Sequence, residues 1–171
     1  MPYLTHLLQV TAWVGESGGD EDQMIAAVLH DYLEDIPGSS AAAMTERFGQ
    51  QVTDYVLALS DTTERPKPPW RERKERYIAH LRDEPPEVKL ISACDKLHNA
   101  TTILRDLTEP GGIGEAIWDR FNPPRESTLW YYRQVTAALE LGWPHPRVDE
   151  LRAVVLAIHD AVGVAWPEDG P

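Results

Sequence analysis

Apolar residues in this chain recur three and four positions apart along almost its whole length, and no segment alternates apolar with polar as a half-buried strand does. Leu4, Leu7, Leu8, Val10 and Val14 mark a first helix, which Gly15, Gly18 and Gly19 stop. Asp20 is placed to cap a second, with Met24, Ile25, Val28, Leu29 and Leu33 as its apolar stripe and Pro37-Gly38 as its end. Ser39 or Ser40 opens a third over 41–48, and Gly49 separates it from a fourth marked by Val52, Val56, Leu57 and Leu59. A proline-rich loop at 65–69 leads into a helix over 70–81, with Pro69 at its first turn. Pro85-Pro86 opens a longer one through Val88, Ile91, Leu97 and Leu104. Breaks at 111–114 and 142–146 then frame short pieces at 117–121, a helix that runs to Leu141 and a last one through Leu151, Val155 and Val162. The pattern predicts an all-α fold of eight or nine helices. We place it in a single domain over 1–165, with a frayed tail at 166–171.

Bulk properties narrow the function. A chain of 171 residues can bury a real core. With a formal net charge of −12 it is a poor general binder of nucleic acid, whose phosphates need clustered cations. No apolar run approaches the roughly eighteen residues of a membrane span. The single cysteine, Cys94, rules out an internal disulfide framework and reads as a small core residue. The first residues lack the pattern of a signal peptide, so a cytoplasmic location is expected. The cations are unevenly spread: Arg65, Lys67, Arg71, Arg73, Lys74 and Arg76 fall close together, with Glu72 and Glu75 between them. That run reads either as a solvated helix face or as an anion-attracting rim on an acidic body.

The chemistry concentrates at Leu29-His30-Asp31-Tyr32-Leu33-Glu34-Asp35. On one helix, His30 and Glu34 are four apart, Asp31 and Asp35 four, and Asp31 and Glu34 three, so all four crowd one side. Three are carboxylates at the negative end of the helix dipole, which a cation would relieve. A solvated acidic helix end is the plain alternative. Elsewhere, His6 sits among Leu4, Leu7 and Leu8, and Asp95 lies mid-helix among Ile91, Cys94 and Leu97. A lone histidine on an apolar face is ordinarily a satisfied core residue. A buried mid-helix Asp needs a cation or several donors, and Lys96 or Arg105 would serve. Together, His6, His30, Asp31 and Asp95 make a mixed nitrogen and oxygen set for Mn²⁺, Fe²⁺, Zn²⁺ or Mg²⁺, without the thiolates of a structural zinc site. Glu34 and Asp35, one turn on, are placed to orient a water or move a proton.

These residues, in this order, resemble the HD superfamily of metal-dependent phosphohydrolases. The fuller run is Pro2-Tyr3-Leu4-Thr5-His6, Ala26 through Asp35, Phe48-Gly49-Gln50-Gln51-Val52, then Asp95-Lys96-Leu97-His98-Asn99. It is similar to the hydrolase domain of RelA/SpoT-type proteins and small alarmone hydrolases over roughly residues 2–142. The resemblance implies an irregular α-helical HD fold. His6, His30, Asp31 and Asp95 match the family's metal ligands, with Mn²⁺ the usual ion. Glu34 and Asp35 match its water-activating pair. Asn99 and Thr102 match positions that face the nucleotide, and Lys74 and Arg125 match cations that contact phosphate or ribose. The implied reaction removes the 3′-pyrophosphate of guanosine tetra- or pentaphosphate. The partner implied is a small nucleotide, with no nucleic acid and no membrane; the oligomeric state is open, a homodimer among the options.

In that family a further helix and a basic turn precede the Pro-Tyr-x-x-His segment. The chain starts at Met1, so the expectation is a shortened relative with altered nucleotide recognition, or a true start upstream. No synthetase domain is expected after the hydrolase region. Two alternatives stand beside the alarmone reading: an HD phosphohydrolase of another nucleotide or phosphoester, and a non-catalytic helical interaction module. His80, His98, His145 and His159 read as structural. The run Leu129-Trp130-Tyr131-Tyr132-Arg133 reads as helix packing rather than a base-stacking platform.

Overall fold

A computed structural model describes residues 2–166; of the tail expected at 166–171, residues 167–171 lie outside the described residues. Among the described residues the chain is all helical, as expected, with nine α-helices, one 3₁₀ segment and no strand. In order they are α1 (Tyr3–Glu16), α2 (Glu21–Leu29), α3 (Tyr32–Asp35), α4 (Ala41–Phe48), α5 (Gln50–Leu59), α6 (Trp70–Asp83) and α7 (Pro86–Thr108). The 3₁₀ segment Gly114–Arg120, α8 (Arg125–Glu140) and α9 (Pro146–Ala161) follow. The chain divides into two compact units, one ending at Asp95 and the other starting at Lys96, the boundary falling within α7.

The start and stop signals act as their chemistry dictates. Asp20 accepts from the Gln23 backbone at 2.8 Å while the Gln23 side chain accepts from the Asp20 backbone at 2.9 Å, a reciprocal capping box on α2. Ser40, not Ser39, caps α4, accepting from the Ala43 N–H at 3.2 Å. Between α4 and α5 the chain turns at Gly49 with φ +87°, a left-handed conformation that favours glycine. Pro69 falls one residue before the first turn of α6 rather than within it.

In the first unit α2 lies against α1 and α5, and α4 and α3 pack on α5. Val10, Val14, Ala26, Ala27, Met44, Val52, Val56, Leu81 and Ile91 are buried at their centre. Polar ties fix the start of α7 in this unit. The Gln23 side chain donates to the Glu87 carbonyl at 3.2 Å, and the Tyr77 hydroxyl bonds Ser92 Oγ at 2.9 Å. In the second unit α8 packs on α9 through Leu129, Val135, Leu139, Leu151, Val155 and Ile158. Tyr131 and Tyr132 are buried there too, in keeping with the packing role read for that run. His145 caps α9, its Nδ1 accepting from the Arg147 N–H at 3.1 Å, and His159 is buried.

One local expectation fails. The helix that carries the His-Asp pair is not continuous to Pro37: α2 ends at Leu29 and α3 begins at Tyr32. Asp31 sits at φ −93°, ψ −3°, the bridge region between helix and extended backbone. The helical ladder resumes only with the Asp35 N–H bonded to the Asp31 carbonyl at 2.8 Å. The break separates His30 and Asp31 from Glu34 and Asp35, which take different partners instead of crowding one helix face.

Candidate functional site

Two adjacent groups of polar side chains occupy the first unit. His6 from α1, His30 and Asp31 from the α2–α3 break, and Asp95 from α7 form the first. His6, His30 and Asp95 are buried among apolar neighbours, and Asp31 is partly exposed. His6 Nε2 lies 3.3 Å from Asp95 Oδ1, and His30 Nε2 lies 3.6 Å from the same oxygen and 3.3 Å from Asp31 Oδ2. One ligand atom from each of His6, His30 and Asp31 falls within 4.8 Å of the others. The far nitrogen of His30, Nδ1, is bonded to the Ala27 carbonyl at 2.8 Å, which holds the ring and leaves Nε2 facing the acids. The Tyr3 hydroxyl donates to Asp31 Oδ2, and the Tyr3 and His6 rings stack with centroids 5.7 Å apart.

The spacings among His6, His30 and Asp31 fit a divalent ion, and Asp95 lies beside both imidazoles, outside that trio. Metal–nitrogen and metal–oxygen bonds of about 2.0–2.2 Å put neighbouring ligands about 3 Å apart and opposed ones about 4.3 Å apart. The donor set is oxygen and imidazole, the mixed set that divalent ions such as Mn²⁺ and Zn²⁺ take. Its electrostatics point the same way. Burial pushes the His30 imidazolium down, but the Asp95 and Asp31 carboxylates outweigh it and raise its pKa to about 10. Burial pushes the Asp31 carboxyl up, and the hydrogen bond and charge of His30 bring it below the usual carboxylate range. The Tyr3 phenol is raised strongly, first by burial and then by Asp31.

Glu34 and Asp35 on α3 belong to the second group. Lys67 bridges them, its Nζ donating to Glu34 Oε1 at 3.1 Å and to Asp35 Oδ1 at 3.0 Å. The Asp61 backbone N–H reaches Glu34 Oε2 at 3.4 Å, and Arg73 Nη1 stands 3.8 Å from Glu34 Oε1. Arg65 donates to the carbonyls of Glu34 and Leu33, a guanidinium at the C-terminal end of α3 where the helix dipole favours a cation. Burial, then the charge of Asp61, raises the Glu34 carboxyl above its ordinary range against the pull of Lys74 and Lys67. Beside both groups lies a cavity of about 280 Å³ walled by Leu7, Val28, Leu29 and Ile36, with Tyr3, Tyr32, Asp31 and Asp35.

The remaining residues singled out in the sequence are elsewhere or otherwise engaged. Lys74 is paired with Asp61, Nζ to Oδ2 at 2.7 Å. Asn99 and Thr102 are half-buried on the part of α7 that belongs to the second unit. Arg125 opens α8 and pairs with Glu115 at 3.3 Å and Glu126 at 3.2 Å. Sequence reading missed Asp61. Its only signal was an acid directly after an apolar helix, beside hydroxyl residues that make such a position look like a cap. It also read Lys67 and Arg73 only as members of a basic run, without their partners.

A model of the HD domain matches residues 1–113. The guanosine-3′,5′-bis(diphosphate) 3′-pyrophosphohydrolase MESH1 of Drosophila melanogaster is 32% identical over 144 residues, which is 82% of this chain and 76% of that protein. The protein of the same activity name from Aquifex aeolicus is 31% identical over 102 residues, 60% of this chain. The chain spans only 14% of the length of that relative. Among solved structures, lmo0812 from Listeria monocytogenes superposes with TM-score 0.79 at 28% identity, covering 91% of this chain and 99% of that one.

Proposed function

Because the chain belongs to the HD domain family, in the company of guanosine-3′,5′-bis(diphosphate) 3′-pyrophosphohydrolases, we propose that it is a metal-dependent phosphohydrolase that removes the 3′-pyrophosphate of guanosine tetra- or pentaphosphate. Residues 1–165 act in this reading as one hydrolase domain in the cytoplasm. The products are GDP or GTP and pyrophosphate. The observation that carries the reading is the convergence of two imidazoles and two carboxylates from three separated stretches beside a partly buried acid pair.

His6, His30, Asp31 and Asp95 would hold the ion, Mn²⁺ by preference. When bound, such an ion polarises a phosphoryl oxygen and lowers the pKa of water. The chain's own groups do the rest. Glu34, with its carboxyl raised above its ordinary range, takes the proton of the attacking water at Oε2 or Oε1. Asp35 orients that water. The water oxygen bonds to phosphorus, the bond from phosphorus to the ribose 3′-oxygen breaks, and that oxygen takes up a proton from solvent while Glu34 later returns its own to solvent. Lys67, already at the acid pair, neutralises charge on the phosphates. Asn99, Thr102 and Arg125 are proposed, from the family resemblance, as contacts to the rest of the nucleotide; Lys74, which the resemblance also offers, is held on Asp61 instead. Purified protein with Mn²⁺ and the tetraphosphate should release pyrophosphate. Folded, metal-loaded protein that releases none rejects this substrate, and a panel of other nucleotides then tests the wider phosphohydrolase reading.

A further inference from the structure

Asp61 is a buried acid for which the proposed reaction has no use. Its side chain is 3% exposed, and its carboxylate takes both Arg73 Nη1 and Lys74 Nζ. Arg73 and Lys74 are themselves mostly shielded, at 11% and 19%. Arg73 Nη1 also stands 3.8 Å from Glu34 Oε1, and the charge of Lys74 acts on the same carboxyl. They have two acids to choose between and are seated on Asp61. At hydrogen-bond distance in a shielded site, the closer partner holds a cation far more strongly than one an ångström further off. The Asp61 backbone N–H meanwhile touches Glu34 Oε2 at 3.4 Å, so the residue meets Glu34 from its main chain and restrains its cationic neighbours from its side chain.

We infer that Asp61 is a positioning residue for Glu34: it keeps Arg73 and Lys74 on its own carboxylate, so that they stand behind Glu34 without closing on it. Glu34 then has one exposed partner at hydrogen-bond distance, Lys67, whose side chain is one-third exposed and can turn from the acid pair to an arriving phosphate. The inference rests on the reading of Glu34 as the water-activating acid.

Asp61→Asn removes the charge and keeps the shape. With Asp61 neutral, Glu34 is the remaining carboxylate beside Arg73, at 3.8 Å. We expect kcat for pyrophosphate release to fall about tenfold or more, with KM changed less than about twofold and bound Mn²⁺ unchanged. Asp61→Asn combined with Arg73→Gln should recover part of that loss, which a merely structural ion pair would not do. A crystal structure of Asp61→Asn should show Arg73 or Lys74 within about 3 Å of Glu34. Wild-type turnover in Asp61→Asn, a double variant no better than the single one, or cations that stay off Glu34 would each overturn the inference. Arg73→Gln alone keeps the question open to test where Asp61→Asn does not fold: it should cost much less than Glu34→Gln, and an equal cost would mean that Arg73 acts on Glu34 directly. An inactive wild type, or full turnover in Glu34→Gln, defeats the functional reading instead, and the variant's crystal structure still decides what Asp61 does to Glu34.

Discussion

His6 and Asp95 come from opposite ends of the first unit's sequence, yet His6 Nε2 lies 3.3 Å from Asp95 Oδ1 with both side chains almost wholly buried. Burial of an acid in mid-helix is unfavourable unless something positive faces it. Two imidazoles face this one, His30 at 3.6 Å being the second. Asp95→Ala should therefore lower Mn²⁺ affinity by at least about a hundredfold, beyond the effect of losing an outer partner of a ligand. Elemental analysis after dialysis against Mn²⁺ measures it. Stoichiometric metal in the variant would remove Asp95 from the ligand set.

The proton on His30 gives metal binding a pH dependence of known sign. Its pKa of about 10 in the metal-free protein means that ligation at pH 7 displaces one proton. Affinity should rise with pH, approaching tenfold per unit between about pH 6 and 8. Without metal the same group stabilises the fold fully below 6.5, and that contribution is lost as pH rises through about 10. Calorimetry in buffers of different ionisation enthalpy counts the released protons, and zero release would contradict the assignment.

Much of this was legible in the sequence, and the misses share a cause. Helix periodicity placed nearly every element because the apolar stripes, caps and glycines all agree locally. His6, His30, Asp31 and Asp95 were legible as a set because buried polar groups on apolar helices demand partners. The break at His30-Asp31 was not, since those residues are compatible with helix and only the tertiary partners of each show where the ladder opens. The basic run was read as a solvated face or a rim, and the structure divides it. Arg71 pairs with Glu75 at 2.6 Å and Arg76 with Glu72 at 3.8 Å along the outside of α6, while Arg73 and Lys74 turn inward to Asp61. Spacing along one helix predicts the first kind of pair. It is silent on an acid twelve positions away in a loop.

Glu34→Gln separates the two polar groups functionally. Glu34 is engaged by Lys67, Arg73 and the Asp61 backbone. We expect kcat to fall by about 10²–10⁴ with metal content preserved. Loss of metal along with activity would merge the groups into one.

The turn between α4 and α5 offers a test of backbone alone. Gly49 has φ +87°, and a methyl group added there would meet no atom within 4 Å. Gly49→Ala therefore changes conformational energy without a clash, and should destabilise by about 1 kcal/mol. Urea denaturation measures it, and an unchanged midpoint would show that the turn relaxes freely.

Asp61 and Asp31, both held below the usual carboxylate range, contribute to the acid limb of stability. Burial pushes the Asp61 carboxyl up, but Lys74 and Arg73 outweigh that and hold it below its ordinary 3.8. A depressed carboxyl stabilises the fold above the unfolded value and loses that contribution as pH falls through the folded one. The protein should therefore lose stability as pH falls below about 4, and Asp61→Asn should flatten that limb while lowering stability at neutral pH. Removing one partner of a shielded ion pair costs about 3–5 kcal/mol. Chemical denaturation of both proteins from pH 7 to pH 2 measures the difference. Parallel curves would mean that some other carboxylate, and not the one that seats Arg73 and Lys74, carries the acid sensitivity.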